Sequence, residues 1–208
     1  MRMRRELLRL YLVTDRGLSM GRDMVDIVRE AVAGGVTMVQ LREKDCPMRD
    51  FVALGRELVA LLRPLGVPLI INDRVDVALA CDADGVHIGQ SDMPFDIARR
   101  LLGPDRIIGL SVESMDDIVA ANALDVDYVG VSPVFATSTK TDTARPFGLD
   151  GLREAVRLSV HPTVAIGGMN ARTAADVMAC GTDGIAVVSA IVSAESTREA
   201  ARELIDLL

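Results

Sequence analysis

Short apolar runs alternate with longer segments whose apolar positions recur at helical spacing, and the alternation happens eight times along the chain. The short runs are 10–14, 37–41, 68–72, 85–88, 107–111, 128–131, 163–166 and 184–188. Each is rich in Val, Ile or Leu, the composition expected of parallel strands covered by helices. Between the first two runs, residues 23–33 place Val25, Ile27, Val28, Ala31 and Val32 on one broad face. Residues 49–62 repeat the pattern with Phe51, Val52, Leu54, Leu58, Val59, Leu61 and Leu62, so both segments read as amphipathic helices. Further helices are expected to begin near Pro94, Ser114, Leu149, Asn170 and Thr197, where the residue type can start or cap a helix. The third helix has room only at about residues 74–81.

Four pieces, AGGVTMV, CDADGVHI, LDVDYVGV and CGTDGIAVV, echo one another ahead of the even-numbered runs. Each reads as a helix end, a tight turn closed by a left-handed residue, and a strand. This quarter-turn repeat favours a closed barrel over an open doubly wound sheet. The expected architecture is α/β, a (β/α)8 TIM barrel forming one domain over residues 1–208. The basic start, MRMRRELLRL, carries Glu6 and lacks an apolar centre, so it reads as a leading turn or short helix rather than a targeting segment.

Composition narrows the partners. The 208 residues are half apolar and a quarter charged, with a formal net charge of −7. Such a chain is ill suited to nucleic acid, which is normally met with a basic surface. Any anion must therefore be held by a few local cations and backbone amides. Cys46, Cys81 and Cys180 are odd in number and show no C-x-x-C spacing, so reduced thiols and a cytoplasmic location are expected. No apolar run approaches the length of a membrane span.

In a (β/α)8 barrel the active site lies where strands end and βα loops begin. The second run ends in QLREK, in which Gln40, Arg42 and Lys44 alternate with Leu41 and Glu43. Leu41 belongs against the helices, so the other three face the barrel mouth, either as an anion-binding set or as a salt-bridged rim. Asp73 directly follows the third run, and Asp92 lies four residues past the fourth. Neighbouring strands bring them together, and magnesium is commonly held by one or two carboxylates plus substrate phosphate oxygens. Read singly, Asp73 could instead cap the third helix and Asp92 could belong to a turn. AIGGM and VVSA end the last two runs, where barrels often bind phosphate through glycine-rich backbone; a tight turn explains the glycines equally well. The segment 133–148 is long for a βα connection, holds Lys140, and reads as a lid or a solvated excursion. His87 reads as a satisfied interior residue and His161 as structural, leaving no Ser–His or Cys–His pair for acyl transfer.

Taken together, Gln40–Lys44, Asn72–Asp73, GVHIGQSD ending at Asp92, GLSV with Ser111, TSTK at Thr137–Lys140, Gly167–Gly168 and Val188–Ser189 resemble the thiamine phosphate synthase family over nearly the whole chain. The resemblance implies a Mg²⁺-dependent transferase of thiamine biosynthesis with two phosphorylated small-molecule substrates. It would join 4-amino-2-methyl-5-(diphosphooxymethyl)pyrimidine to a thiazole phosphate, giving thiamine phosphate and diphosphate. By the same resemblance, Gln40 contacts the pyrimidine, while Arg42, Lys44, Asn72 and Lys140, with Ser111 nearby, hold its diphosphate. Asp73 and Asp92 take the metal. Thr137, Ser138, Thr139, Gly168, Val188 and Ser189 take the thiazole phosphate. Arg42, Lys44 and Lys140 are the expected catalytic cations. One departure is Ala136, where the family often has proline. A thiazole tautomerase on the same barrel, or a non-catalytic phosphate-ligand sensor, are the rival readings; neither needs the paired carboxylates. The sequence leaves open a homo-oligomer and whether the thiazole arrives as its carboxylated precursor.

Overall fold

The computed structural model describes residues 3–136 and 145–208. Eight strands run parallel: β1 (Leu10–Val13), β2 (Met38–Leu41), β3 (Leu69–Asn72), β4 (Gly85–Ile88), β5 (Ile107–Val112), β6 (Tyr128–Val131), β7 (Thr163–Ile166) and β8 (Gly184–Val187). Each pairs with its sequence neighbours, and β8 pairs back onto β1 with Tyr11 opposite Ala186, closing the barrel. Every strand bound lies within one residue of the expected one. The expected (β/α)8 architecture is what the chain forms.

The helices are α1 (Met24–Ala33), α2 (Met48–Leu62), α3 (Val75–Cys81), α4 (Phe95–Leu102), α5 (Met115–Ala121), α6 (Gly148–Leu158), α7 (Ala174–Met178), α8 (Ser189–Val192) and α9 (Thr197–Asp206). Asp23 caps α1 by accepting from the amides of Val25 and Asp26, and Ser114 caps α5 through the amide of Asp117. Two features depart from expectation. α7 starts at Ala174, not near Asn170, because residues 170–173 are committed to a turn in which the Thr173 hydroxyl accepts from Asn170 N–H at 3.0 Å. The short α8 directly after β8 was not anticipated; at four residues it carries no periodic signal.

Strand side chains alternate between two cores. Leu10, Leu12, Val39, Leu41, Leu69 and Ile71 point outward and pack under the helices. Tyr11, Val13, Met38, Ile70, Tyr128, Val164 and Ala186 point inward and fill the barrel, with Leu8 below them. Leu8 ends a leading 3-10 turn, Arg5–Leu8, and stops the N-terminal end of the barrel. Fully burying a leucine contributes about 1.5–3 kcal/mol relative to exposure, so the two layers together supply much of the driving force.

The quarter-turn repeat has a physical cause at the N-terminal end. Thr37, Asp84, Asp127 and Asp183 occupy equivalent places just ahead of β2, β4, β6 and β8. The Thr37 hydroxyl accepts from Leu10 N–H at 3.0 Å, Asp84 from Leu69 N–H at 2.8 Å, Asp127 from Ile108 N–H at 2.8 Å and Asp183 from Thr163 N–H at 2.8 Å. Each of these oxygens thus ties an even strand to the start of the odd strand before it, satisfying an amide at a strand end and fixing register. Gly35, Asp82 and Gly181 supply the left-handed residues expected in three of the four turns.

Candidate active site

A cavity of about 580 Å³ opens at the C-terminal ends of the strands. Its wall includes Gln40, Arg42, Lys44, Asn72, Asp73, Asp92, Ser111, Gly168, Val188 and Ser189. The remaining expected site residues, Thr137, Ser138, Thr139 and Lys140, lie outside the described residues.

The alternation in QLREK sorts the residues as expected. Gln40, Arg42 and Lys44 line the cavity, whereas Leu41 is buried under the helices and Glu43 turns away to form a two-bond pair with Arg16 at 2.8 and 2.9 Å. Arg42 is held rather than loose. Its guanidinium donates to Asp15 at 2.9 Å, and its backbone amide donates to the Thr14 hydroxyl at 3.0 Å. That pairing fixes the fork, and Asp15 has no separate signal in the sequence pattern. Lys44 makes no hydrogen bond or ion pair with any described residue.

Asp73 and Asp92 converge. Asp73 sits in a left-handed backbone conformation, φ 61°, directly after β3, and its amide donates to the His87 carbonyl at 2.8 Å. The side chain does not cap α3; its carboxylate accepts from Asn72 Nδ2 at 2.6 Å. Asp92 folds back so that its carboxylate accepts from Gly89 N–H at 2.7 Å, closing a turn over 89–92 rather than one leading into α4. Burial first, then hydrogen bonding and repulsion with Asp92, push the Asp73 carboxyl from its ordinary 3.8 up to about 6, with Asn72 and Arg42 opposing the rise. Two carboxylates close enough to share a proton favour a cation between them. Among the described residues no group of three or more His, Cys, Asp or Glu gathers around a common point. Two carboxylates alone suit a hard divalent ion only where water and ligand phosphate oxygens complete its shell.

The opposite wall is built from backbone. Gly167 and Gly168 have φ of 100° and 73°. A Cβ on Gly167 would lie 2.8 Å from Pro133, and one on Gly168 would lie 2.8 Å from Phe135. Both glycines are therefore demanded by the segment leaving β6, whose Val134 and Phe135 amides donate to the carbonyls of Ile166 and Gly167. Val188 precedes α8 and Ser189 begins it, so first-turn amides without intrahelical partners border the cavity. Arg22 steadies the other end of α8, donating to the Val192 carbonyl, the Thr197 hydroxyl and the Ser19 carbonyl.

His87 is more than an interior filler. Its Nδ1 hydrogen-bonds Tyr128 Oη at 3.0 Å and its Nε2 hydrogen-bonds Ser111 Oγ at 2.9 Å, and its ring lines the cavity. Gln90 also lines the wall and donates to the Ser111 carbonyl at 2.7 Å. His161 hydrogen-bonds the Ala121 carbonyl at 3.0 Å, a structural contact as expected.

A parallel barrel whose mouth sets Arg42, Lys44 and paired carboxylates against a glycine- and amide-rich wall has the architecture of a (β/α)8-barrel enzyme. The family described as thiamine monophosphate synthase matches residues 10–191. A thiamine-phosphate synthase of Albidiferax ferrireducens is 55% identical over 206 residues, covering 98% of this chain and 94% of that one. One from Chloroflexus aurantiacus is 54% identical over 197 residues, covering 94% and 90%. The solved thiamine phosphate pyrophosphorylase of Pyrococcus furiosus superposes with a TM-score of 0.90 at 43% identity, covering 98% of this chain and 96% of that one. The chain belongs to the thiamine monophosphate synthase family.

Proposed function

We propose that the barrel, acting as one catalytic domain over residues 1–208, condenses a hydroxymethylpyrimidine diphosphate with a thiazole phosphate to give thiamine phosphate and diphosphate. The observation that carries this reading is the meeting of Arg42, Lys44 and the Asp73–Asp92 pair on one wall of a single cavity, with Gly168, Val188 and Ser189 facing them. Family membership supports the same reaction. A tautomerase would have no use for the carboxylate pair.

In this reading Gln40 holds the pyrimidine, and Arg42, Lys44 and Asn72 hold the diphosphate, with Ser111 beside them. Lys140 completes the set that holds the diphosphate. Asp73 and Asp92 hold Mg²⁺, which when bound supplies the positive charge that makes diphosphate a good leaving group. The thiazole phosphate is held by the amides of Gly168, Val188 and Ser189 together with Thr137, Ser138 and Thr139. Nitrogen attack on the pyrimidine methylene then needs alignment and charge stabilisation more than a general base. Arg42, already oriented by Asp15, meets the developing charge without reorganisation. A cytoplasmic location goes with this reading, supported by three unpaired cysteines; among the described residues no helix is long and apolar enough to cross a membrane.

The test is direct. Both substrates, the protein and Mg²⁺ should yield thiamine phosphate, and a chelator should abolish it. Absence of product at saturating substrate would sink the reading.

A further inference from the structure

A chain of hydrogen bonds crosses the barrel interior beneath the cavity floor. Gln40 Nε2 donates to Tyr11 Oη at 2.8 Å; Tyr11 Oη meets Tyr128 Oη at 2.8 Å; Tyr128 Oη meets His87 Nδ1 at 3.0 Å; His87 Nε2 meets Ser111 Oγ at 2.9 Å. Its two ends, Gln40 and Ser111, both line the cavity. Its middle is dry: Tyr11 is 1% exposed and Tyr128 is fully buried. The two phenols pack edge to face with centroids 5.9 Å apart. Room for the chain is made by glycines. A Cβ on Gly109 would collide with the Tyr128 ring, and one on Gly130 would lie 3.2 Å from the His87 ring.

Such a chain has a direction. An amide nitrogen can only donate, so Tyr11 Oη accepts from Gln40. A buried hydroxyl proton left without an acceptor costs heavily, so Tyr11 passes its proton to Tyr128. Tyr128 then donates to His87 Nδ1, which places the imidazole proton on Nε2, facing Ser111 Oγ. At the two ends this leaves Gln40 Oε1 as an acceptor toward the cavity and the Ser111 hydroxyl as a donor. Burial raises both phenols above their ordinary range, so they stay neutral and the direction is kept.

We propose that Tyr11, Tyr128 and His87 are positioning residues that lock Gln40 as an acceptor and Ser111 as a donor, so that the cavity selects an amino over an oxo substituent on the pyrimidine. The selectivity part rests on the synthase reading; the direction of the relay does not. Run in reverse, the same chain would present the Gln40 amide as a donor and favour the oxo group.

The chain has two histidines, so imidazole ¹⁵N spectra of the full-length protein are readily assigned. The expected result is neutral His87 protonated at Nε2; protonation at Nδ1, or an imidazolium at neutral pH, overturns the relay. Calorimetry with Mg²⁺ then compares the 4-amino-pyrimidine diphosphate with its 4-oxo counterpart. A site whose buried acceptor pairs with the amine should discriminate by about a hundredfold or more. Tyr11→Phe and Tyr128→Phe should each shrink that ratio about tenfold, and Tyr11→Phe, which leaves the Tyr128–His87–Ser111 half in place, should leave affinity for inorganic diphosphate unchanged. An unchanged ratio in folded variants overturns the proposal, and if the variants do not fold, the wild-type spectrum decides it. A wild type that binds neither pyrimidine but shows the Nε2 tautomer refutes the synthase reading and leaves the relay standing.

Discussion

The two sides of the cavity mouth are built by different means. Along β2 to β4 the wall is made of charged side chains: Arg42 braced by Asp15, Lys44, and the Asp73–Asp92 pair. Along β7 and β8 it is made of backbone, with Gly167 and Gly168 held at positive φ and α8 beginning at Ser189. The first kind of site suits a ligand whose charge changes during reaction, because side chains and a metal can meet a growing negative charge. The second suits a phosphate that is only carried, since amide dipoles bind it with little dependence on protonation. In the proposed reaction, leaving group and carried phosphate would thus fall on different walls.

The comparison can be broken most severely on the charged side. Asp73→Ala combined with Asp92→Ala should lower turnover by about a thousandfold or more, several kcal/mol of charge stabilisation being at stake. Titrating activity against Mg²⁺ measures this, and normal turnover at low Mg²⁺ would remove the metal assignment. Lys44→Ala should raise KM for the pyrimidine diphosphate about tenfold to a hundredfold, the worth of a charge-assisted hydrogen bond, with KM for the thiazole phosphate unmoved. Gly168→Ala tests the backbone side. A left-handed φ of 73° and the approach to Phe135 should cost about 1–3 kcal/mol in chemical denaturation, and the KM that rises should be the thiazole phosphate's.

The smallest effect has the opposite sign. Because the Asp73 carboxyl is raised to about 6 from 3.8, the folded metal-free protein binds its proton more tightly than the unfolded chain. Stability therefore falls as pH rises from about 4 to 6 and stays lower above that. Asp73→Asn, which keeps the left-handed backbone accessible, should raise metal-free stability near neutral pH by about 1 kcal/mol, solvent screening of this half-exposed pair being allowed for. Thermal melts across that pH window check it. Metal binding, which must displace the proton, should weaken below about pH 6.

Most of the barrel was legible because each strand announces itself within a few residues. The even-strand turns also repeat for a reason the sequence carries locally, one oxygen ahead of each strand. The site was legible where period two decides which way a residue points, as for Gln40, Arg42 and Lys44. It was not legible where partners are distant in the chain. Nothing near Tyr11 announces Tyr128, which lies 117 positions away, or that His87 bridges it to Ser111. The Arg42–Asp15 pair was missed for the same reason. The glycines at 167 and 168 suit a phosphate or a turn by sequence alone, and the fold adds a steric reason: Pro133 and Phe135 occupy the space a side chain would need.

The four oxygen clasps sit at the end of the barrel opposite the cavity. Strand register is therefore pinned at the end away from the candidate site, in addition to the ladder that runs through Gln40, Asn72 and Ser111. A barrel arranged in this way can accept rewritten loops at its mouth while its frame stays in alignment. Loop exchange between this chain and its structural relatives should accordingly fail first in chemistry, and only later in folding.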